Sequence, residues 1–582
     1  MNILGINLFH ADTSTCIVKN GIVVAAVEEE RFSRIKHFSG FPKNSIKYCL
    51  KEAGLKFDDI DYVSVNFNTS YNFIQRLSFL IKNIFSINFL PRLSLISKRQ
   101  NIKKLFYENF SINLKAKIVH VPHHSAHIAS SYLCSGFKNS LGLSFDGAGD
   151  FSCLELFDLN NNKIKVIDKI CFPHSLGIFY QTMTQYLGFK NYGDEYKVMG
   201  LAAYGQPRYV NEIYDLFHIN KDNKYKLNLK YFLHHLKSFS YYFENGAPYF
   251  DNFFNSNFEK LFNKKARLKN EKITKFHMDI ACSAQHVFEQ IIILYLKKYI
   301  DESNYENLCL SGGCVFNSLM MGKLKKEFPN INIFIQPNSG DAGGAIGSAL
   351  YVDSKFNKNF SNKKYNFPYL GPSYSNLEVE KIIKKKINVS SSDIKVDFYK
   401  DFKKLTDTIS NQLYQGKVVG WFQGRMEWGP RALGNRSILA NPGIKNMKDI
   451  INSKIKKREE FRPFAPSILE EYASKYFVCG ENTEFMGYVV KVKDLEIAKK
   501  IPSVVHSDGT ARVQVVKKSI NERFYELIKS FSNISGLPIL LNTSLNVDEP
   551  ICESPDQAIT SFTSSSMDIL VIEDFVLTKR SS

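Results

Sequence analysis

Apolar and polar positions alternate in the first 31 residues in two runs, NILGINL and TCIVKNGIVVAAVEEER. A period of two is that of a half-buried strand, and Asn20-Gly21 inside the second run predicts a type I′ hairpin. SIKYCLKEAGL then switches to helical spacing and stops at Gly54. IDYVSVN and KIVHVP read as strands, HSAHIASSYLC as a helix, and LGLSFDGAG and CLELFDL as strands around a glycine turn. Asn160, Asn161 and Asn162 turn the chain into KIKVIDKI, and TKFHMDIACSAQHVFEQIIILYLKKYI carries a sustained apolar helical face. NLCLSGGCVFNSLMMGKLKKEF and INIFIQPNSGDAGGAIGSALYV each run strand, glycine turn, helix. This order predicts an α/β layered domain. Two strand-turn-glycine units, around Asp12 and Asp146, point to a duplicated core.

At 582 residues the chain is too long for one core. The expected first domain spans 1–355, with an insertion at about 70–115. A polar, aperiodic stretch at 356–375 reads as a linker. The second domain, 376–582, opens with the helix DFKKLTDTISNQLYQ, Gly416 and the strand KVVGWFQG. It closes with LPILLNTSLN and a helix with Ser554 at its cap and Pro555 at its first position.

The net charge of +19 comes from Lys scattered along the chain without a long basic tail, so it reads as solvated faces rather than a nucleic-acid surface. Ten Cys without a CxxC pair read as reduced thiols in a cytoplasmic protein. The N-terminus has neither the basic nor the apolar region of a signal peptide. The apolar run Ile74–Ile96 is broken by Arg76, Lys82, Asn83, Pro91 and Arg92, which predicts a surface helix or lid rather than a stable membrane insertion.

Four residues carry the first candidate chemistry: His123, His127, Asp146 and Asp341. An i, i+4 histidine pair puts two imidazoles on one helix face, and His124 between them faces elsewhere. The two aspartates follow apolar strands inside glycine turns, where ligands are met. Mixed N and O donors suit Fe(II), Mn(II) or Zn(II). The Gly-rich runs SFDGAGDF and LSGGCVFNS, with Gly147, Gly312, Gly313 and Asn317, suit a nucleotide phosphate. Asp12 is a candidate further metal ligand or phosphate-orienting group. The triplet Asp194, Glu195 and Lys197 belongs either to the adenylate or acceptor end of this site or to a helix cap. The second domain holds Arg425, Arg431, Arg436, Lys456, Arg458, Arg462 and Arg512 among Gly, Pro, Trp and Phe. Cations in such rigid surroundings predict an anion pocket.

These stretches resemble the O-carbamoyltransferases of the NodU and TobZ type over nearly the full length. The resemblance is carried by GINLFHADTS, EEERFSRIKH, HHSAHIASS, SFDGAGD, GDEYKVMGLAAYG, LSGGCVFNS, QPNSGDAGGAIGSA, GRMEWGPRALGNRSIL, KKREEFRPFAPS, HSDGTARVQVV and LNTSLNVDEPI. It implies an N-terminal duplicated ribonuclease-H-like domain of the actin and sugar-kinase (ASKHA) type and a C-terminal YrdC-like α/β domain. It also implies that carbamoyl phosphate and Mg-ATP form carbamoyl-adenylate in the C-terminal domain. The intermediate then moves to a divalent metal, Fe(II) first and Mn or Zn as alternatives, where an acceptor hydroxyl takes the carbamoyl group.

Lys456, Arg462, Arg512 and Asn542 are the implied carbamoyl phosphate contacts. Arg425 and Arg431 are expected to grip the nucleotide phosphates, with Arg458 in the same pocket. His10 is the candidate base for the acceptor hydroxyl, and Asp12 would orient it or the acceptor. Acceptor contacts are expected from Ile74–Ile96 and from YYFENGAPYFDNFF. A tRNA threonylcarbamoyl-adenosine-type enzyme is the alternative, and GPRALGNRSIL and REEFRPFAP argue against it. A hydrogenase-maturation carbamoyltransferase would need paired CxxC motifs, and a non-enzymatic nucleotide sensor would not need the intact ligand set. No nucleic-acid partner is expected. The acceptor is open among sugars, glycans and natural products, and the oligomeric state is not readable beyond a homodimer as working expectation.

Overall fold

The computed structural model describes residues 1–83, 101–236, 246–365, 368–387, 393–478 and 483–580, together with the backbone of 242–244. It divides into two compact units, Met1–Tyr365 and Asn366–Ser582.

The first unit contains the same sheet twice. β1 (Asn2–Asn7), β2 (Ser14–Lys19), β3 (Ile22–Glu28), β4 (Tyr62–Val65) and β5 (Lys117–His120) stand in the order β3-β2-β1-β4-β5. The first three pair antiparallel, and β4 and β5 join parallel. β6 (Asn139–Gly149), β7 (Ser152–Asn160), β8 (Lys163–Cys171), β9 (Asn307–Ser311) and β10 (Asn332–Ile335) repeat that order as β8-β7-β6-β9-β10. Their strand directions repeat as well. The turn at Asn20 (φ 51°) and Gly21 (φ 81°) has positive φ at both central positions, as a type I′ hairpin requires. Helix α1 (Lys43–Ala53) ends at Gly54, which at φ 63° closes the helix in the left-handed region. Ile46, Cys49 and Leu50 of α1 pack with Leu4, Ile6 and Val63 of the first sheet.

Each repeat ends in a helix: α2 (His123–Ser135) after β5 and α3 (Gly343–Phe356) after β10. The two are exchanged. α3 packs on the first sheet, where Ser348 Oγ is 2.9 Å from Ser64 Oγ of β4. α2 packs on the second sheet, where Ser131 Oγ donates to the carbonyl of Phe334 in β10. The helices cross so closely that a Cβ on Gly347 would sit 1.7 Å from the carbonyl oxygen of Ala126. All of α2 is therefore buried, as is α3 up to its last turn, and α2 is apolar or small all round apart from its histidines, serines and one tyrosine.

The second unit is built on one eight-stranded sheet. Its strands are β11 (Ile394–Phe398), β12 (Val419–Phe422), β13 (Arg436–Ala440), β14 (Ala465–Leu469), β15 (Gln514–Val516), β16 (Ile539–Ser544), β17 (Ile569–Ile572) and β18 (Phe575–Lys579). Their order is β11-β18-β17-β12-β13-β16-β14-β15. Helices α4 (Phe402–Tyr414) and α5 (Glu522–Ser535) lay Leu405, Ile409, Leu413, Phe524, Leu527 and Phe531 against Trp421, Leu439 and Val571 of the sheet. Ser554 caps the helix Pro555–Thr563, with Pro555 at its first position.

The expected linker is not a free connector. α3 runs on to Phe356, and the division falls after Tyr365. Asn362 donates to the carbonyls of Tyr132 and Phe137, and Tyr365 accepts from the amide of Val23. In the second unit Tyr369 is buried and donates to the carbonyl of Leu433. Tyr and Asn side chains tie down a stretch whose lack of periodicity suggested a connector. No disulfide joins the nine described cysteines, and among the described residues no helix is long and apolar enough to cross a membrane. Of the run Ile74–Ile96, residues 84–96 lie outside the described residues, and the rest belongs to the helix Phe73–Lys82.

Gly347→Ala is expected to force α2 and α3 apart and to lower the stability of the first unit by about 1–3 kcal/mol, read as a fall in the urea midpoint at unchanged slope.

Candidate functional site

The exchanged helices bring the four predicted metal ligands together. α2 presents His123 and His127 one turn apart, β6 carries Asp146 at its end, and Asp341 sits in the turn before α3. One ligand atom from each residue fits within 4.8 Å of all the others. The Nε2 atoms of His123 and His127 are 3.0 Å apart. His127 Nε2 lies 3.1 Å from Asp146 Oδ2 and 3.4 Å from Asp341 Oδ1. His123 Nε2 lies 3.7 and 3.6 Å from the same two oxygens. Those oxygens are buried and make no hydrogen bond among the described residues. Two ring nitrogens and two carboxylate oxygens facing one point require positive charge there, and the donor set fits a divalent cation. Burial opposes a charge on His127, yet the two carboxylates lift its pKa to about 9. Burial also opposes charge on Asp146 and Asp341, but the histidines hold both below the ordinary carboxylate range.

The surroundings fix each ligand. His10 Nδ1 is 2.7 Å from Asp341 Oδ2, the oxygen that faces away from the cluster. Asp146 Oδ1 accepts from the amide of Gly147 at 2.6 Å. Asp150 Oδ2 accepts from the amide of His123 at 2.9 Å and so anchors the first turn of α2. A Cβ on Gly149 would lie 2.0 Å from His123 Cδ2, so only glycine leaves room for that ring. His124 points away: its Nε2 meets the carbonyl of Ser152 and its Nδ1 the hydroxyl of Ser144. Burial, with the two neighbouring imidazoles, pushes its pKa down to about 3. Among the glycines expected to face a nucleotide, Gly313 lies against Asp146, where a Cβ would be 2.9 Å from Oδ1. Gly312 (φ 97°) passes so close to the carbonyl of Phe145 that a Cβ would be 2.2 Å from its oxygen.

Other predicted residues have different partners. Asp12 neither joins the four ligands nor orients His10. It has φ 57°, and its Oδ1 is 2.7 Å from His37 Nδ1. Sequence reasoning missed His37, which also donates its backbone amide to Glu30 Oε2. Burial opposes the imidazolium, but Asp12, with Glu30 and Glu195, raises its pKa to about 9. Asn317 is consumed by structure: its Oδ1 accepts from the amide of Met320 and the two amide groups of Asn317 and Gln285 pair reciprocally. Lys197 is 3.0 Å from Asp194, which stands at the N-cap of the helix Glu195–Ala202 without capping it. Burial raises Glu195 to about 7. The two stretches expected to meet an acceptor do come together where they are described. Phe79, Phe250 and Phe253 pack with Phe151, Phe172 and Ala148, next to the loop after Asp146.

In the second unit Arg512 is the centre of a cation cluster. Burial, then the guanidiniums of Arg431, Arg458 and Arg462, depress its pKa far below the ordinary value. Burial holds Arg431 down to about 10. Guanidiniums that act on one another in this way favour an anion between them. Lys456 is buried beside Ser544 and Asn546, whose carbonyls and Asn546 Oδ1 all lie within 2.9 Å of its Nζ. Arg425 is not among the cations acting on Arg512, and its guanidinium donates to the carbonyls of Leu370 and Gly371. Arg436 is wholly buried over the Phe422 ring and donates to four carbonyls, so it builds the loop rather than facing a ligand. Glu427, unremarkable in the sequence, accepts from the amides of Leu433, Asn435 and Arg436 and fixes the loop that carries Arg431.

Two family models match the chain: "Carbamoyltransferase N-terminus" over residues 2–350 and "Carbamoyltransferase C-terminus" over residues 410–579. A Synechocystis sp. protein described as "Uncharacterized protein sll1178" is 36% identical over 99% of this chain and 97% of that protein. "Nodulation protein NolNO" of Sinorhizobium fredii is 33% identical over 99% of this chain and 80% of that protein. "Nodulation protein NolO" of Bradyrhizobium diazoefficiens is 36% identical over 79% of each.

The His37–Asp12 pair predicts a pH signature. The folded pKa of about 9 exceeds the ordinary 6.5, so the stabilisation is complete below about 6.5 and fades as pH rises through 9. The stability difference between wild type and His37→Gln should be largest near pH 6 and vanish by about pH 10 in denaturant titrations.

Proposed function

We propose, from the premise that the chain belongs to the carbamoyltransferase family, that it is an ATP-dependent O-carbamoyltransferase acting on a hydroxyl of a sugar or natural product. The observation that carries this reading is the charge of Arg431, Arg458 and Arg462 acting on half-buried Arg512. One anion does not need four guanidiniums, whereas carbamoyl phosphate and ATP together do. Side by side these substrates repel each other, and the guanidiniums offset that repulsion and the charge that builds at the α-phosphorus. The first step balances as carbamoyl phosphate, ATP and water giving carbamoyl-adenylate, phosphate and pyrophosphate. The second balances as carbamoyl-adenylate and an alcohol giving an O-carbamoyl ester and AMP. The duplicated sheets of the first unit read as the ribonuclease-H-like repeat of actin and sugar kinases, and the second unit reads as YrdC-like.

His123, His127, Asp146 and Asp341 would hold the metal, Fe(II) first with Mn or Zn as alternatives. Such an ion supplies Lewis-acid polarisation of a carbonyl. His10, whose Nδ1 lies 2.7 Å from Asp341 Oδ2, is the candidate base for the proton of the acceptor hydroxyl. Gly147 has open space beside it, where the adenylate would lie next to Asp146. The aromatic cluster of Phe79, Phe151 and Phe250 offers an apolar surface to an acceptor.

The test separates the two steps. Wild type incubated with carbamoyl phosphate and ATP should release pyrophosphate and accumulate carbamoyl-adenylate, detected by mass. Arg462→Ala should lose adenylate formation by about 100-fold or more. His127→Ala should keep adenylate formation and lose transfer to an acceptor panel. Loss of both steps in His127→Ala would overturn the division of labour.

A further inference from the structure

The carbamoyl group differs from an acetyl group of nearly the same shape by two N–H donors. A site that selects it must offer hydrogen-bond acceptors, and the side chains that crowd Arg512 are all donors. Two acceptor atoms of the second unit are buried and have no partner among the described residues: His506 Nε2 and Asn542 Oδ1.

The tautomer of His506 follows from its neighbours. Its Nδ1 is 3.0 Å from Thr510 Oγ1. The Thr510 hydroxyl proton is already given to Asp508 Oδ1 at 2.7 Å, and the Thr510 amide points to the same oxygen. Thr510 Oγ1 therefore accepts from His506, Nδ1 carries the hydrogen, and Nε2 carries a lone pair. The ring stays neutral, because burial, reinforced by Arg512 and Lys448 against Asp508, pushes its pKa down to about 4. The imidazole thus presents an acceptor in a region otherwise rich in cations.

The orientation of the Asn542 amide is fixed in the same way. Its nitrogen lies within 3.1 Å of the carbonyl of Ala432, of Ser467 Oγ and of Gln514 Oε1. Ser467 donates its own hydrogen to Gln514 Oε1, and Gln514 Nε2 is committed to the carbonyl of Leu433. All three neighbours of the nitrogen are acceptors, so the amide cannot be reversed and Oδ1 faces the other way. Ala432 follows Arg431 in the chain, and Gln514 lies two residues after Arg512.

We propose that His506 is a specificity-determining residue that admits a carbamoyl group and rejects other acyl groups, its Nε2 accepting one amino hydrogen while Asn542 Oδ1 accepts the other. This rests on the reading of the second unit as the carbamoyl phosphate site, and it gives a role to a histidine that the proposed chemistry does not otherwise use. Acetyl phosphate keeps the phosphate and the carbonyl but would leave both acceptors buried and unpaired. A site built to hydrogen-bond its substrate rejects an analogue lacking the group far more strongly than an apolar pocket rejects a missing methylene.

The test uses the full chain. Pyrophosphate release is followed with carbamoyl phosphate and ATP, with acetyl phosphate and inorganic phosphate as inhibitors. His506→Phe is expected to lower kcat/KM for carbamoyl phosphate by about 10–100-fold, mostly through KM, while the Ki values of acetyl phosphate and inorganic phosphate stay within about twofold. Thr510→Val keeps the ring but removes the group that fixes its tautomer, and should lower kcat/KM by about 3–10-fold with the same unchanged inhibitors. An equal fall of all three affinities in both variants would mean a general structural role and overturn the proposal. So would an unchanged kcat/KM in both. A wild-type chain that releases no pyrophosphate would instead overturn the reading of the second unit, and this inference with it.

Discussion

Two carboxylates and two imidazole nitrogens converge inside the first unit with almost no access to water, and that convergence is the constraint on which its architecture depends. Buried charges of one sign are tolerated only when something opposite balances them. The surrounding structure is arranged to hold this imbalance in place. Asp150 pins the start of the histidine helix, Gly149 clears the space for a ring, and His10 grips the far oxygen of Asp341. The close helix crossing at Gly347 and Ala126 brings the histidine helix against the helix that follows Asp341.

The second unit presents the opposite imbalance. Its half-buried guanidiniums raise each other's energy, and Glu427 and Arg436 spend their charge on shaping the loop rather than on neutralising the cluster. The two sites thus hold opposite local imbalances of charge. Under the proposed reaction the cationic one would gather anionic reactants, and the other would make a carbonyl electrophilic.

Much of this was legible in the sequence where the signal is local. The i, i+4 histidine spacing, the Asn20-Gly21 hairpin and the Ser554-Pro555 helix start are set by neighbours in the chain, and the structure has each of them. The duplication was visible only as two faint glycine turns, because strand order is a long-range property that the hydrophobic pattern does not encode. Side-chain pairing was the least legible. Asp12 stands two residues from His10, which suggests a pair, but at positive φ it meets His37, 25 residues on. Asn317 looked like a phosphate contact in a glycine-rich turn, and the same position is what a helix N-cap needs. Arg425 shares a motif with Arg431, yet only the carbonyls of Leu370 and Gly371, packed where a linker was expected, reveal its use.

The exchange of the terminal helices has a consequence for how the first unit can work. The two histidines belong to the first repeat, and both aspartates belong to the second. Neither half of the duplication owns a complete ligand set, so the bite of the site is also a gauge of how the two lobes are set against each other. The spacing of the four ligands is therefore set by the packing of one repeat on the other, not by either repeat alone.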